Sequence, residues 1–360
     1  MLHETETGRI PELLPERHRR MSANPFAFYR GGAALMAADL ASWPVTGLRV
    51  QLGGDAHLLN FGGYATPERN LTFDINDFDE TLPGPWEWDV ARLCASAPLA
   101  ASARSFGKRV GEDAAYQAVA SYRTHMRELA AYSPLQIWYS RVDVRGMLAR
   151  ELTPPQYATH VKPTQEHEDV ARNTIHKYRE TLLPHVRILL DRYQPMDFFE
   201  HPVGVGSVGL LTVVAHFEAR EGESLYLQIK QAQASVLERY LHPSLFANHG
   251  QRAIAGQRLM QAATDLFVGW TSEGERDFYV RQLRDAKSGL DVERIDAPQL
   301  VDFAGRCGAV LARAHARTGN PQAIAAYLGA GDVYENAMAQ FASVYAKQVE
   351  RDYEAFCRGL

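Results

Sequence analysis

Residues 53–63 read GGDAHLLNFGG. An acid, an imidazole and an amide (Asp55, His57 and Asn60) fall within six positions, with glycines on both sides. The stretch follows TGLRVQL (46–52), an apolar alternation that reads as a strand. The glycines place it on a turn at a strand end, where side chains project into a cleft. A solvated loop would hold the same three residues, so its meaning depends on what the rest of the chain supplies.

The next stretch, FDINDFDE (73–80), holds Asp74, Asn76, Asp77, Asp79 and Glu80. Carboxylates this close repel one another unless a cation or hydrogen-bond donors compensate. Carboxylate and amide oxygens are the ligands Mg²⁺ prefers, usually beside substrate phosphates. Here the acids alternate with Phe73, Ile75 and Phe78, which fits a strand better than a wholly solvated turn. FGGYA, a turn at TPERN and LTFDIND predict a hairpin.

A glycine stretch, Gly204-Val205-Gly206-Ser207-Val208-Gly209, matches G-x-G-x-x-G. A dinucleotide-binding unit would have a strand before it and a helix after it. Here Pro202 precedes, and LLTVVAHF follows and reads as a strand. That context argues against a dinucleotide unit and favours a glycine loop between antiparallel strands, folded over phosphates. A purely structural hairpin would look the same. LQIK then ends an apolar strand on Lys230, placed to reach α- and β-phosphates, although a strand-end surface lysine is the ordinary alternative. Glu238, or a polar residue of helix 248–263, is the candidate ion-pair partner; that helix carries Arg252, Gln257 and Arg258 but no glutamate.

The 360 residues, 46% of them hydrophobic, suffice for one large domain or two lobes. A net charge of −5 shows no broad basic field, which speaks against nucleic acid as a partner. Cys94, Cys307 and Cys357 lie far apart, so neither a zinc knuckle nor a disulfide framework is expected. The polar start of the chain lacks an apolar segment, and no run approaches the roughly 20 apolar residues of a membrane span. The expectation is a cytoplasmic protein that does not engage a membrane.

Residues 1–24, with Pro11, Pro15 and the cluster Arg17, Arg19 and Arg20, read as an exposed arm. NPFAFYRGGAALMAADLASW reads as one helix capped by Asn24 or Ser22. Residues from Trp86 to about Ala131 are helical, and 134–200 is mixed with Pro-punctuated joints at 154–155, 163 and 184. SLYLQIKQA and RDFYVRQL read as strands, and the chain is helical again from Pro298. Arg30 faces either the cleft or the helix surface. Arg281, Gln282, Arg284, Asp285 and Lys287 contact a ligand or are solvated; Trp86, Trp88 and Trp138 read as core or lobe interface, and most histidines, His176 and His315 included, as surface or packing residues.

GDAHLLN resembles the G-D-x-H-x-x-N catalytic loop of the aminoglycoside and choline phosphotransferase branch of kinase-like enzymes. The resemblance implies Asp55 as catalytic base, Asn60 as a Mg²⁺ ligand, and His57 bracing the loop through hydrogen bonds. INDFDE resembles the metal-binding segment of that branch, with Asp77 in the metal role, Asp79 as second ligand or support, and Asp74 unassigned. GPWEWDVARL resembles a further segment there, in which Asp89 would cap its helix and tie down the catalytic loop. Gly204, Gly206, Ser207, Gly209, Lys230 and Glu238 complete the expected nucleotide site. The order, catalytic loop, metal loop, glycine loop, lysine, is a circular permutation of the kinase order, which is tolerable where termini lie close together.

The expected fold is therefore α+β: bilobal, protein-kinase-like and circularly permuted, with a small antiparallel β lobe inserted between helix-rich segments. The expected divisions are the arm at 1–24, a helix-rich lobe with both loops at 25–199, a β-rich nucleotide lobe at 200–290, and C-terminal helices at 291–360 completing the helix-rich lobe. Along nearly its whole length the chain also resembles the bacterial family called domain of unknown function 2252, through NPFAFYRGGAALMAADLA, VQLGGDAHLLNFG, FDINDFDETLPGPWEWDVARL, VGVGSVG, LQIKQA, GQRLMQAATD and FYVRQLRDAK. The expected activity is ATP- and Mg²⁺-dependent phosphoryl transfer to a hydroxyl of a small molecule. AMP transfer, a nucleotide-binding pseudokinase or interaction module, and a metal-dependent hydrolase using only the Asp/His/Asn cluster are the alternatives.

Overall fold

The computed structural model describes residues 3–142, 161–200, 204–283, 288–289 and 294–360. Of the positions singled out above, Pro154, Pro155, Pro202, Arg284, Asp285 and Lys287 lie outside the described residues.

Two short 3-10 turns, His3–Glu6 and Pro11–Leu13, lead into α1 (Leu14–Met21), α2 (Pro25–Gly31) and α3 (Ala33–Leu40). Next come β1 (Arg49–Leu52), β2 (Phe61–Ala65), β3 (Leu71–Ile75) and β4 (Leu82–Pro85). They precede α4 (Trp86–Ala103), α5 (Lys108–Leu129) and α6 (Pro134–Tyr139). α7 (Gln165–Thr181) and α8 (Pro184–Leu190) are followed by β5 (Gln194–Glu200), β6 (Thr212–Glu218) and β7 (Ser224–Ala232). α9 (His249–Met260), β8 (Gly269–Glu273), β9 (Arg276–Gln282) and β10 (Ser288–Gly289) come next, then α10 (Ala297–Ala316), α11 (Pro321–Leu328) and α12 (Val333–Arg358).

This is a mixed α+β architecture with small antiparallel sheets. β5 to β9 form one five-stranded sheet in the order β5-β6-β7-β9-β8, all neighbours antiparallel. The β2–β3 hairpin pairs with β10, and β1 pairs with β4. β4 escapes the sequence reading because LPGP carries two prolines, which only a strand with an unpaired edge accommodates.

Two large apolar clusters organise the chain. The first joins α4, α5, α10 and α12, and Trp86 is buried there against Tyr122. α10 and α5 approach closely at Gly308, where a Cβ would lie 1.9 Å from the Ala118 carbonyl oxygen. The second cluster lies on one face of the five-stranded sheet. Val213, Leu227, Ile229 and Val280 face Tyr178 of α7 and Val186 of α8.

Three expectations need correction. The β-rich unit was expected to begin at 200, but β5 starts at Gln194, and α7 and α8 pack on the sheet and not with the helices before them. The segment 1–24 is no exposed arm: Arg17 is 2% exposed and Met21 is buried. The single helix expected after Asn24 is broken at Gly32, where the Arg17 guanidinium takes the Gly31 carbonyl. Asn24 is its cap, accepting from the Ala27 amide. Trp86 and Trp88 are buried as expected, whereas Trp138 is exposed and carries the Arg317 guanidinium on its ring.

Candidate functional site

The GGDAHLLN turn is shaped by its glycines and by one acid from α4. Gly54 has φ +82°, and a Cβ there would lie 2.2 Å from the Glu80 carbonyl oxygen. Asp89 accepts from the Gly53 amide at 2.7 Å and the Gly54 amide at 2.9 Å. His315 Nε2 stands 3.2 Å from the same carboxylate, and its Nδ1 pairs with the Tyr122 hydroxyl at 2.9 Å. Asp89 thus ties down the loop, but it does not cap its helix: α4 begins after Pro85 without a side-chain cap.

Asp55 is held by Arg92, whose Nε donates to Oδ1 at 2.8 Å. Arg92 also donates to the Tyr29 carbonyl, and its guanidinium carbon sits over the Tyr29 ring, 3.7 Å from its centre. Nothing in the sequence flagged Arg92 beyond its place in WDVARL. The Asn60 amide nitrogen donates to the Asp55 carbonyl at 2.7 Å, which spends the amide's donor side within the loop. His57 does not brace the loop with its ring. Its Nδ1 is buried without a hydrogen-bond partner among the described residues, and its Nε2 lies 3.6 Å from Asp55 Oδ2. The bracing comes from its backbone, through His57 N to Asp55 O and Asn60 N to His57 O. Burial, with the charges of Arg30 and Arg92 nearby, holds the His57 imidazole well below its usual range, and so neutral.

β3 delivers the second acidic stretch, and its members part company. Asp74 is fully buried and structural: it accepts from Arg313 at 2.6 Å, from the Ala262 amide and from the Ile75 amide. Asp79 receives the Lys230 ammonium on Oδ2 and the Tyr279 hydroxyl on Oδ1 at 2.8 Å. Asp77 Oδ2 is 4.0 Å from Lys230 Nζ, and Asp77 Oδ1 accepts the Asp79 amide. Burial and the neighbouring Asp79 charge push the Asp77 carboxyl up. For Asp79 burial acts the same way, but Lys230 and the Tyr279 hydroxyl outweigh it and hold the group low.

Lys230 lies on β7, cross-strand from Thr212 on β6 and Tyr279 on β9. It is 1% exposed, so its charge is desolvated; among the described residues it is answered by the two aspartates and faces the Tyr279 ring. Burial lowers its pKa, yet the two carboxylates carry the net shift upward, so it stays an ammonium. Glu238, the expected partner, is elsewhere. It closes a capping box with Ser235, accepts the Ser244 amide, and stands 3.7 Å from Arg252. Arg252 of α9 bonds the Asp79, Thr81 and Gln233 carbonyls, so that helix supports the acidic stretch through an arginine. Arg281 bonds the Gln228 side chain and the Asn76 carbonyl.

Gly204–Gly209 turns between β5 and β6, with φ +47° at Gly204 and +94° at Gly209. The N-terminal segment straps this turn: Arg17 donates to the Val205 carbonyl at 2.8 Å and the Gly206 carbonyl at 3.2 Å, Arg9 to the Val208 carbonyl, and the Ile10 amide to the Gly209 carbonyl. Beneath the turn lies a cavity of about 80 Å³ that Arg30, Asp55, His57, Asn60, Asp77 and Ser207 help to line. It adjoins an opening of about 810 Å³ along Gln231–Val236, and both share Arg9, Asp79, Glu80 and Gly206. Of the expected site residues, Glu238 and Gly209 face neither the Lys230 ion pairs nor the smaller cavity; Gly209 packs against the Arg9 side chain instead.

Among the described residues no group of three or more His, Cys, Asp or Glu side chains is arranged to hold a metal, and no helix is long and apolar enough to cross a membrane. A Mg²⁺ ion does not require such a cage, because it takes one or two carboxylates and completes its shell with phosphate and water. The oxygen donors of Asn60 and Asp77 fit that pattern, and a cation would relieve the raised Asp77 carboxyl.

Fold and site together define an α+β protein whose cleft is lined by paired aspartates, an Asp/His/Asn turn and a strapped glycine turn, with a buried lysine ion-paired to the aspartates behind it. The chain belongs to the family described as uncharacterized protein conserved in bacteria (DUF2252), whose model matches residues 9–163 and 145–359. No curated protein and no solved structure matches it.

Proposed function

We propose that this chain is an ATP- and Mg²⁺-dependent phosphotransferase with a circularly permuted kinase-like fold, acting on a hydroxyl of a small molecule. One observation carries the reading: Lys230 Nζ lies 4.0 Å from Asp77 and bonds Asp79, although the two motifs are far apart in the chain. A separation above about 15 Å would have been incompatible with one nucleotide and its metals bridging them. The sheet supports the same reading. Its first two strands bracket a glycine turn and its third carries the lysine, the arrangement by which kinases hold phosphates. The small-molecule acceptor rests on the resemblance of GDAHLLN to small-molecule phosphotransferases.

In this reading Lys230 and the 204–209 amides hold the nucleotide phosphates. Asn60 and Asp77 would hold Mg²⁺, which supplies charge neutralisation on the phosphates. Asp55, fixed on Oδ1 by Arg92, presents Oδ2 to the acceptor hydroxyl. The acceptor oxygen bonds to the γ-phosphorus, the bond from that phosphorus to the β,γ-bridging oxygen breaks, ADP leaves, and the hydroxyl proton passes to Asp55. Asp79 already serves Lys230 and Tyr279 and acts here as support.

The test is thermal melting with and without ATP and Mg²⁺, for the wild type and for Lys230→Ala and Asp77→Ala. A ligand at a hundredfold excess over Kd stabilises by about 2.7 kcal/mol. A Mg²⁺-dependent rise in Tm that both variants lose is expected; no rise with any nucleotide overturns the reading. The mass of the modified acceptor then separates phosphoryl from AMP transfer.

A further inference from the structure

Arg30 stands in the last turn of α2 and lines the cavity beneath the glycine turn, together with Asp55, His57 and Asn60. Its Nε is buried with no hydrogen-bond partner, and among the described residues no ion pair reaches its guanidinium. Asp55 is near enough to act on its charge but is already taken by Arg92. The neighbouring arginines are spent differently: Arg17 and Arg9 donate to carbonyls of the glycine turn. A guanidinium offers five donors and cannot shed its proton, so leaving one half-buried and unanswered is costly unless an anion fills the space.

The position says which anion. The turn passes directly over this residue, since a Cβ on Gly206 would lie 3.8 Å from the Arg30 carbonyl oxygen. Arg30 therefore shares its cavity with the base candidate Asp55 and with the turn that covers the phosphates. A phosphoryl group in transfer to an acceptor held by Asp55 must occupy that space. We propose that Arg30 grips the terminal phosphoryl group of the nucleotide, an arginine supplied by the chain itself to the charge that moves in the reaction. Arg30 neither gains nor loses a proton in this role. The proposal rests on the phosphotransferase reading above.

The experiment is calorimetric titration of the full chain with MgATP and with MgADP, for the wild type, Arg30→Gln and Arg30→Lys, with the ligand-free Tm of each as a folding control. Arg30→Gln is expected to weaken MgATP by about tenfold or more while leaving MgADP within about twofold. Arg30→Lys keeps the charge without the fork and should fall between, which also covers the case of a poorly folded glutamine variant. Equal weakening of both nucleotides, or of neither, overturns the role of Arg30 and leaves the phosphotransferase reading standing. A wild type that binds neither nucleotide overturns both.

Discussion

Lys230 Nζ donates to Asp79 Oδ2 across 151 residues of chain, joining the third strand of the five-stranded sheet to the acidic stretch after β3. The ammonium is desolvated, so its stability depends on carboxylates supplied by a distant part of the sequence. Removing one member of such a pair leaves an uncompensated buried charge and costs about 3–5 kcal/mol, whereas removing both is often far cheaper. Lys230→Met should therefore destabilise strongly, and Lys230→Met with Asp79→Asn should regain part of the loss. Denaturant unfolding of the four members of the cycle measures this. Strictly additive effects would show that the two groups do not interact.

Gly54 is needed for two independent reasons, a left-handed φ and contact with the Glu80 backbone. Gly204 shows the first alone, because nothing among the described residues lies within 4 Å of its would-be Cβ. Gly204→Ala should cost about 1–2 kcal/mol of strain, and Gly54→Ala distinctly more, with loss of nucleotide binding. Similar unfolding curves for the two variants would remove the steric role assigned to Glu80.

Arg17 couples the strap to the glycine turn through the Val205, Gly206 and Gly31 carbonyls. Arg17→Met keeps most of the buried stem and deletes the donors. Amide hydrogen exchange across 204–212 should accelerate by about ten- to a hundredfold, since each bond from a charged donor is worth about 1.5–3 kcal/mol. Unchanged exchange there would mean the strands alone hold the turn.

Glu80 carries the clearest pH signature. Burial pushes its carboxyl up to about 7, against an ordinary 4.5. The folded protein keeps a proton that the unfolded chain has already released between those values. The stability due to Glu80 is thus complete below about pH 4.5 and is lost as pH rises to about 7. Glu80→Gln should remove that slope, making the variant gain about 1–3 kcal/mol on the wild type between pH 5 and 7.5. His57, held neutral in the fold, acts with the opposite sign as pH falls, so the comparison must be the difference between the two proteins and not the wild-type curve alone. An equal slope in both would place the Glu80 proton elsewhere.

Contiguous residues were enough to read α4, α5, α10 and α12, the β2–β3 hairpin and the strand carrying Lys230, because helical periodicity, alternation and turn chemistry are properties of neighbouring positions. They also marked Asp55, Asn60, Asp77, Asp79, the glycine turn and Lys230, since each sits in a short pattern with its own spacing. The tertiary structure alone decided which acid answers Lys230, that Arg92 fixes Asp55, that Arg252 supports the Asp79 backbone, and that residues 9–17 strap the glycine turn. Those contacts join groups tens to hundreds of positions apart. An arginine that donates to a distant carbonyl has the same local sequence as one in solvent, so only the packing of the two apolar clusters, which brings the segments together, selects the partner.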